Sequence, residues 1–252
     1  TRRSSDLTMK GVIWKICPDV QIADISHEIA PQNVTEGAIA LWRATPFFPD
    51  GTVHVFVVDP GVGTQRRPIA AKLGTQYFVG PDNGLLTPIV EDAEAKGWPV
   101  EFVHMTNPKY WLSDVSHTFH GRDIFSPAGA WLASGIELHE LGPVITDPIR
   151  RPLPKPQKTD TGWLTQIMVV DAFGNCTTNL PAAEVAGAAD IHFKAGGQVV
   201  DGLVTSYGHC NPGDLVALVD SESFVEIAEV NGSAARRLGL RVGDPVEVIC
   251  SK

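Results

Sequence analysis

From Met9 to about Gly142, short apolar runs alternate with longer stretches of helical periodicity, whereas after Thr161 closely spaced β-type runs follow one another directly. In the first region VHVFVVD (53–59) is nearly continuous apolar sequence, five of its seven residues being Val or Phe, bounded by Asp50-Gly51 and Pro60-Gly61. Such a run predicts a buried strand of the parallel kind. QYFVG (76–80) predicts a second strand that enters the turn cluster Pro81-Asp82-Asn83-Gly84 and then an apolar stretch from Leu85 to Val90. TEGAIALWRAT (35–45) and DIFSPAGAWLAS (123–134) have helical spacing, Pro127 being acceptable in a first turn. Beyond Thr161 the runs GWLTQIMVVD, HFKAGGQVV, DLVALVD, FVEIAEV and DPVEVIC are separated by Gly, Asn, Asp and Pro turns, which predicts a small antiparallel barrel or sandwich. The intervening PVITDPIRRPLPKPQKTDT (143–161) holds five prolines and little periodicity. The expected organisation is an α/β domain over residues 1–150, a Pro-rich linker over 151–160, and an all-β antiparallel barrel over 161–252.

Composition narrows the function classes. The 252 residues are 43% hydrophobic and 19% charged, the balance of an ordinary globular chain. A net charge of −9 disfavours a non-specific binder of nucleic acid or of anionic membranes. Cys17, Cys176, Cys210 and Cys250 include no CxxC pair, so neither a zinc ribbon nor a disulfide framework is expected, and a reducing cytoplasm fits. No apolar run reaches the length of a membrane helix, and the opening TRRSSDLTMKG lacks a signal-peptide core.

Three segments are dense in candidate chemistry. VDPGVGTQRR (58–67) puts Asp59 at the end of the apolar run, ahead of a glycine-containing loop and the arginines Arg66 and Arg67. Ligands of open α/β sheets bind at such strand ends. Neither GxxxxGK[ST] nor GxGxxG is present, so phosphate binding is not expected. A turn-capping Asp59 with solvent-facing arginines is the plain structural alternative. HTFHGRD (117–123) gathers two imidazoles, a guanidinium and a carboxylate around a glycine. A histidine held by an acid or an arginine can position or activate water near neutral pH. Metal ligation by His117, His120 and Asp123 is an alternative, as is a satisfied turn histidine. In DAFGNCTTN (171–179), Asp171, Phe173 and Asn175 would share one face of an extended segment and could bind an ammonium, stack a base and read its polar edge. A polar turn with a core Phe competes with that reading.

Taken in order, MKGVI, DISHEI, VHVFVVDPGVGTQRR, YFVGPDNGLL, TFHGRDIFSPAGAWLASG, VVDAFGNCTTN and FVEIAEVNGSAARRLGLRVGDPVEV resemble the adenosine-forming S-adenosyl-L-methionine hydrolases, relatives of the fluorinase and chlorinase. The resemblance implies an α/β domain joined to an antiparallel β-barrel, no cofactor and no metal, and a homotrimer with active sites between subunits. It maps the family's Asp-Arg-His set onto Asp59, Arg66 and His120, two of which the halogenases lack. It further implies that Asp171, Phe173, Asn175, Tyr207, Ser221 and Glu222 line the substrate pocket. One segment departs: the family opens with a TDFG-type strand and a ribose-binding aspartate, this chain opens with TRRSSDLTMKG, and Asp6 does not match that motif.

The implied reaction is attack of water at the ribose 5′ carbon of S-adenosyl-L-methionine, giving adenosine and L-methionine. Asp59 and His120 would take or relay the proton while Arg66 holds the developing hydroxide. A sulfonium is already a good leaving group, so nothing need protonate it. A metal-dependent hydrolase, a non-catalytic sensor of S-adenosylmethionine or adenosine, and a halide-using 5′-transferase are the competing classes.

Overall fold

The apolar face predicted over 35–45 forms α2 (Val34–Ala44), and its start is set by side chains. Asn33 accepts from the Glu36 amide at 3.1 Å, and the Glu36 carboxylate returns to the Ala30 amide and to Asn33 Nδ2. Such reciprocal capping satisfies amides that the first helical turn leaves without partners. Val34, Ala38 and Leu41 then bury against Leu85, Leu86 and Ile89. The computed structural model describes residues 2–188 and 190–251, and its contacts divide the chain into two units, Thr1–Leu153 and Pro154–Lys252.

The first unit holds a mixed five-stranded sheet in the order β1-β3-β2-β4-β5. The strands are β1 (Val53–Val55), β2 (Pro68–Leu73), β3 (Gln76–Pro81), β4 (Val100–His104) and β5 (Val144–Ile145). Only β1 and β3 are parallel; β2 pairs antiparallel with both β3 and β4. Helices α1 (Arg2–Ile16), α3 (Thr87–Ala95) and α4 (Ser126–Ala133) complete the unit with α2. Phe78, Phe102, Leu73 and Ile89 form one core cluster, and Phe125, Met105, Tyr110 and Leu141 another. Each such side chain contributes about 1.5–3 kcal/mol by leaving water.

Three local outcomes differ from the sequence pattern. The run 53–59 pairs only as far as Phe56, whose amide donates to Val79 O at 3.0 Å. The next rung requires an amide at Pro81, which has none, so Val57 to Asp59 leave the sheet. The helix predicted over 123–134 begins as a π-helical turn, Gly121–Phe125, and becomes α-helical at Ser126, with Pro127 in the first turn. Residues 2–16, where the pattern predicted no element, form α1.

The second unit is a nearly closed antiparallel barrel in the order β10-β9-β13-β7-β8-β12-β11. Its strands are β6 (Gln157–Thr159), β7 (Gly162–Val170), β8 (Cys176–Pro181), β9 (Asp190–Ala195), β10 (Gln198–Asp201), β11 (Leu215–Val219), β12 (Phe224–Glu229) and β13 (Pro245–Ser251). β6 falls within the stretch expected to be linker and pairs with β7. Helix α5 (Ala234–Leu238) and the inward residues Ile167, Leu180, Phe193, Ile227 and Val248 fill the interior. Among the described residues, no helix is long and apolar enough to cross a membrane.

Candidate functional site

Where the apolar run leaves the sheet, Asn83 Nδ2 holds the Val58 carbonyl at 2.7 Å and Asp59 begins a tight loop. The Gly61 carbonyl accepts both the amide and the hydroxyl of Thr64, at 3.1 and 2.7 Å. Gly63 has φ +76°, and a Cβ there would stand 2.6 Å from the His117 carbonyl. This close approach, open only to glycine, packs the 59–67 loop against the loop carrying His120.

Arg66 joins the two loops. Its Nε donates to Asp59 Oδ1 at 3.0 Å, its Nη2 donates to Asp59 Oδ2, and Nη2 also lies 2.9 Å from His120 Nδ1. The guanidinium carbon is 5.2 Å from the centre of the Phe125 ring. The Arg66 and Asp59 side chains are only 7% and 5% exposed, and Arg66 Nη1 is buried without a hydrogen-bond partner among the described residues.

A guanidinium has no acceptor, so His120 Nδ1 must offer its lone pair to Arg66, and the neutral imidazole carries its proton on Nε2. Burial and the adjacent Arg66 charge lower the His120 pKa, although Asp59 and Asp123 oppose the shift. Asp59 also lines a cavity of about 950 Å³ within the first unit, bounded by Met9, Val55, Val57, Leu85 and Phe119. A buried carboxylate, a fixed guanidinium with a spare donor and an imidazole N–H can together hold and deprotonate a small oxygen nucleophile.

Arg67, next in sequence, turns the other way. It bonds Asp82 Oδ2 at 2.9 Å and both the carboxylate and the carbonyl of Asp147 at 2.9 and 2.7 Å. Asp82 in turn accepts the Ile149 amide at 2.8 Å.

His117, His120 and Asp123 do not form a metal-spaced group among the described residues. The Asp123 carboxylate takes the Ser116 amide and hydroxyl and Arg122 Nε. Among the described residues the group that has such spacing is Asp6, Asp24 and His27, and Lys10 already supplies a cation there, 2.6 Å from Asp24 and 3.2 Å from Asp6.

The six residues expected in the pocket from the barrel lie in the second unit, five of them on the β7–β8 and β11–β12 hairpin loops and Tyr207 in a short 3-10 turn, Tyr207–His209, between β10 and β11. Asp171, Phe173 and Asn175 do not share an extended face; they form the β7–β8 loop. Asp171 Oδ1 accepts the amides of Phe173 and Asn175 at 2.9 and 2.8 Å, Oδ2 accepts Asn175 Nδ2 at 3.0 Å, and Gly174 turns at φ +88°. Aspartate recruits nearby amides in this way more readily than it sits in a strand. Phe173 is left 79% exposed rather than in the core. Ser221 and Glu222 occupy a second aspartate-held turn, where Asp220 Oδ1 takes the amides of Glu222 and Phe224, both at 2.9 Å.

Tyr207 donates to Glu226 Oε1 at 2.5 Å, and Thr177 Oγ1 donates to Glu226 Oε2 at 3.2 Å. Burial raises the Glu226 pKa, with Asp171 and Asp220 adding to the shift against the opposing Tyr207 and Thr177 hydrogen bonds. Burial, followed by Glu226, raises that of Tyr207. The sequence reading missed Glu226, Thr177 and Asp220. The available signal was a carboxylate inside the apolar run FVEIAEV, where Val225 and Ile227 are also buried.

The chain matches two family profiles, the SAM hydroxide adenosyltransferase N-terminal domain over residues 5–142 and the corresponding C-terminal domain over 165–247. It is 36% identical to an (R)-S-adenosyl-L-methionine hydrolase of Salinispora tropica, over 94% of this chain and 90% of that one. A fluorinase of an Actinoplanes species is 27% identical over 95% of this chain and 91% of its own. The crystal structure of an uncharacterized conserved protein from Thermotoga maritima aligns with TM-score 0.88 and 34% identity, covering 97% of this chain and 95% of that one.

Proposed function

Since this chain belongs to the SAM hydroxide adenosyltransferase family, we propose that it hydrolyses S-adenosyl-L-methionine to adenosine and L-methionine. The observation that carries the mechanism is the Arg66 fork, which ties Asp59 to His120 beside a cavity of about 950 Å³, roomy enough to admit a nucleoside. The similar hydrolase of Salinispora tropica is named for the R epimer at sulfur, and we extend that preference to this chain.

Water is held between Arg66 Nη1, the Nε2 proton of His120 and the Asp59 carboxylate. Its oxygen forms the new bond to C5′ as the C5′–S bond breaks, and the electron pair stays on sulfur to give the neutral thioether of methionine. The water proton passes to Asp59 and then to solvent. His120 acts as a donor to the oxygen and not as the base, because its acceptor nitrogen is committed to Arg66. Aligning a water with a bound electrophile supplies up to about 7–11 kcal/mol of the barrier reduction.

Asp171, Phe173, Asn175, Tyr207, Ser221 and Glu222 bind the substrate: the carboxylates face its ammonium and the rings stack its base. This follows the family pattern and is consistent with the exposure of Phe173. The organisation as an α/β domain over 1–150 and a barrel over 161–252, which β6 extends into the expected linker 151–160, the homotrimer with active sites between subunits, and a cytoplasmic location belong to the same reading. Sedimentation of the purified protein tests the trimer.

The decisive experiment incubates the protein with the separated R and S epimers in chelator-treated buffer and follows products by liquid chromatography, with Asp59→Ala as control. Equal amounts of adenosine and methionine, faster from the R epimer and absent in the control, support the reading. Bound but intact substrate refutes hydrolysis and leaves a sensor, and 5′-chloroadenosine formed in chloride identifies a halide transferase.

A further inference from the structure

His120 stands immediately before the π-helical turn Gly121–Phe125, and one carboxylate organises that whole segment. Asp123 is completely buried, at 0% exposure. Its Oδ2 accepts both the amide and the hydroxyl of Ser116, at 2.9 and 2.7 Å, and its Oδ1 accepts Arg122 Nε. The Ser116 hydroxyl oxygen passes the link on by accepting the Phe119 amide at 3.1 Å. The Phe119 carbonyl accepts the amides of Arg122 and Asp123, both at 3.1 Å, while the Asp123 carbonyl accepts the Leu112 amide at 2.9 Å. His120 thus sits inside a ring of hydrogen bonds that starts and ends on residue 123, and the wider π turn sets the direction in which its imidazole leaves the backbone. Single π turns are rare and recur at functional sites.

We propose that Asp123 is a positioning residue for the reaction: by closing the 116–123 loop through Ser116 and Arg122, it fixes the π turn and so the orientation in which His120 Nδ1 receives Arg66. The idea rests on the hydrolase reading above, but the first of its two readouts does not. In the resting protein, Arg66, Asp59, Asp123 and His117 are the charged or titratable groups around the ring. With the ring fixed, His120 holds a single tautomer. With the loop released, Nδ1 loses its donor and the two neutral tautomers interconvert. Holding a functional side chain through a supporting shell of hydrogen bonds is the general route to a well-defined site.

The first readout is nitrogen NMR of histidine-labelled protein, with wild type compared with Asp123→Asn and Ser116→Ala. Wild type should show His120 protonated at Nε2 only; both variants should show tautomer averaging. The second is turnover. Asp123→Asn should lower kcat 30- to 100-fold while KM stays within about threefold, as expected for a group that acts through the alignment of another. The acid limb of its kcat/KM profile should also move to higher pH, because a His120 released from Arg66 loses the adjacent charge that lowers its pKa, and this outweighs the loss of the weaker opposing Asp123 charge. Ser116→Ala should lower kcat about tenfold, and Ser116→Thr, which restores the hydroxyl, should recover most of the loss.

Asp123→Asn that folds with wild-type tautomer, kcat and pH profile overturns the proposal. If Asp123→Asn does not fold, the serine pair decides: equal activity in Ser116→Ala and wild type, or no recovery in Ser116→Thr, overturns it. If wild type shows no hydrolysis at all, the functional reading fails while the tautomer comparison still tests the positioning role.

Discussion

Replacing Arg66 with lysine separates charge from geometry at the centre of the site. Arginine makes three contacts there, two to Asp59 and one to His120 Nδ1. A lysine ammonium keeps the positive charge beside the buried carboxylate but cannot span both carboxylate oxygens and the imidazole at once. The variant therefore loses two hydrogen bonds of the charge-assisted kind, each worth about 1.5–3 kcal/mol. Part of that returns as the ammonium settles on Asp59, so the net stability loss should be about 1–2 kcal/mol. Arg66→Ala instead leaves Asp59 buried without a partner and should cost about 3–5 kcal/mol. The catalytic effect should run the other way in proportion: Arg66→Lys should lose roughly 100- to 1000-fold in kcat, about 3–4 kcal/mol of transition-state stabilisation, despite its modest stability loss. Urea denaturation of both variants beside chromatographic assay of adenosine release measures the two quantities. Arg66→Lys with kcat within threefold of wild type would show that a point charge suffices and that the bridge to His120 has no function.

The pH profile follows from the same bridge. Burial and Arg66 hold the His120 pKa below its usual value of 6.5, so protonation at Nδ1, which turns the acceptor of the Arg66 proton into a donor, should cut kcat/KM only as pH falls through a value below 6.5; a midpoint above 7 in a rate profile contradicts the assignment. His54, buried between Phe48 and Phe78 and lowered in pKa by that burial against the opposing Gln76 bond, should act on stability. Its folded pKa lies below its unfolded one, so its contribution is present above about 6.5 and lost as pH falls; His54→Phe should flatten the acid side of the urea-midpoint profile, and an unchanged slope argues against it. Phe173→Ala should raise KM about tenfold with kcat within threefold and stability within about 0.5 kcal/mol, since the ring is 79% exposed and supports no core; a loss of kcat at unchanged KM would take Phe173 out of substrate binding.

Periodicity exposed the elements whose burial is one-sided and whose ends are chemically marked. α2 lies where the sequence placed it because an apolar face and a capping asparagine agree, and the strand runs after Thr161 are visible because each ends at a turn residue. The early end of β1 was hidden because it depends on which residue of another strand faces it, and Pro81 lies far away in sequence. Alternation left 171–175 open between an extended face and a polar turn for a related reason: it describes side-chain direction, but Asp171 captures two amides and Gly174 turns at positive φ, so a local bond outcompetes the ladder and the turn forms, with Phe173 exposed rather than in the core. Glu226 was hidden by its neighbours, since a carboxylate in an apolar strand becomes interpretable only once Tyr207 and Thr177 are known to meet it.

The pair Arg66-Arg67 shows why a site can be visible in sequence while its architecture is not. Two adjacent arginines after a glycine loop read as equivalent, and composition cannot say which is buried. The fold separates them because successive residues entering a strand project to opposite sides, and β2 begins at the next residue, Pro68. Arg66 is thereby directed to Asp59 and His120, and Arg67 to Asp82 and Asp147. Asp82 is itself buried and also holds the Ile149 amide, so Arg67 anchors the end of the loop to two distant segments while Arg66 reaches into the site from its other side. A loop held from both sides can keep a guanidinium in register with an imidazole without a helix or strand of its own. The charge that performs chemistry and the charge that keeps it in place are then neighbours in sequence, distinguished by the direction in which the chain enters its strand.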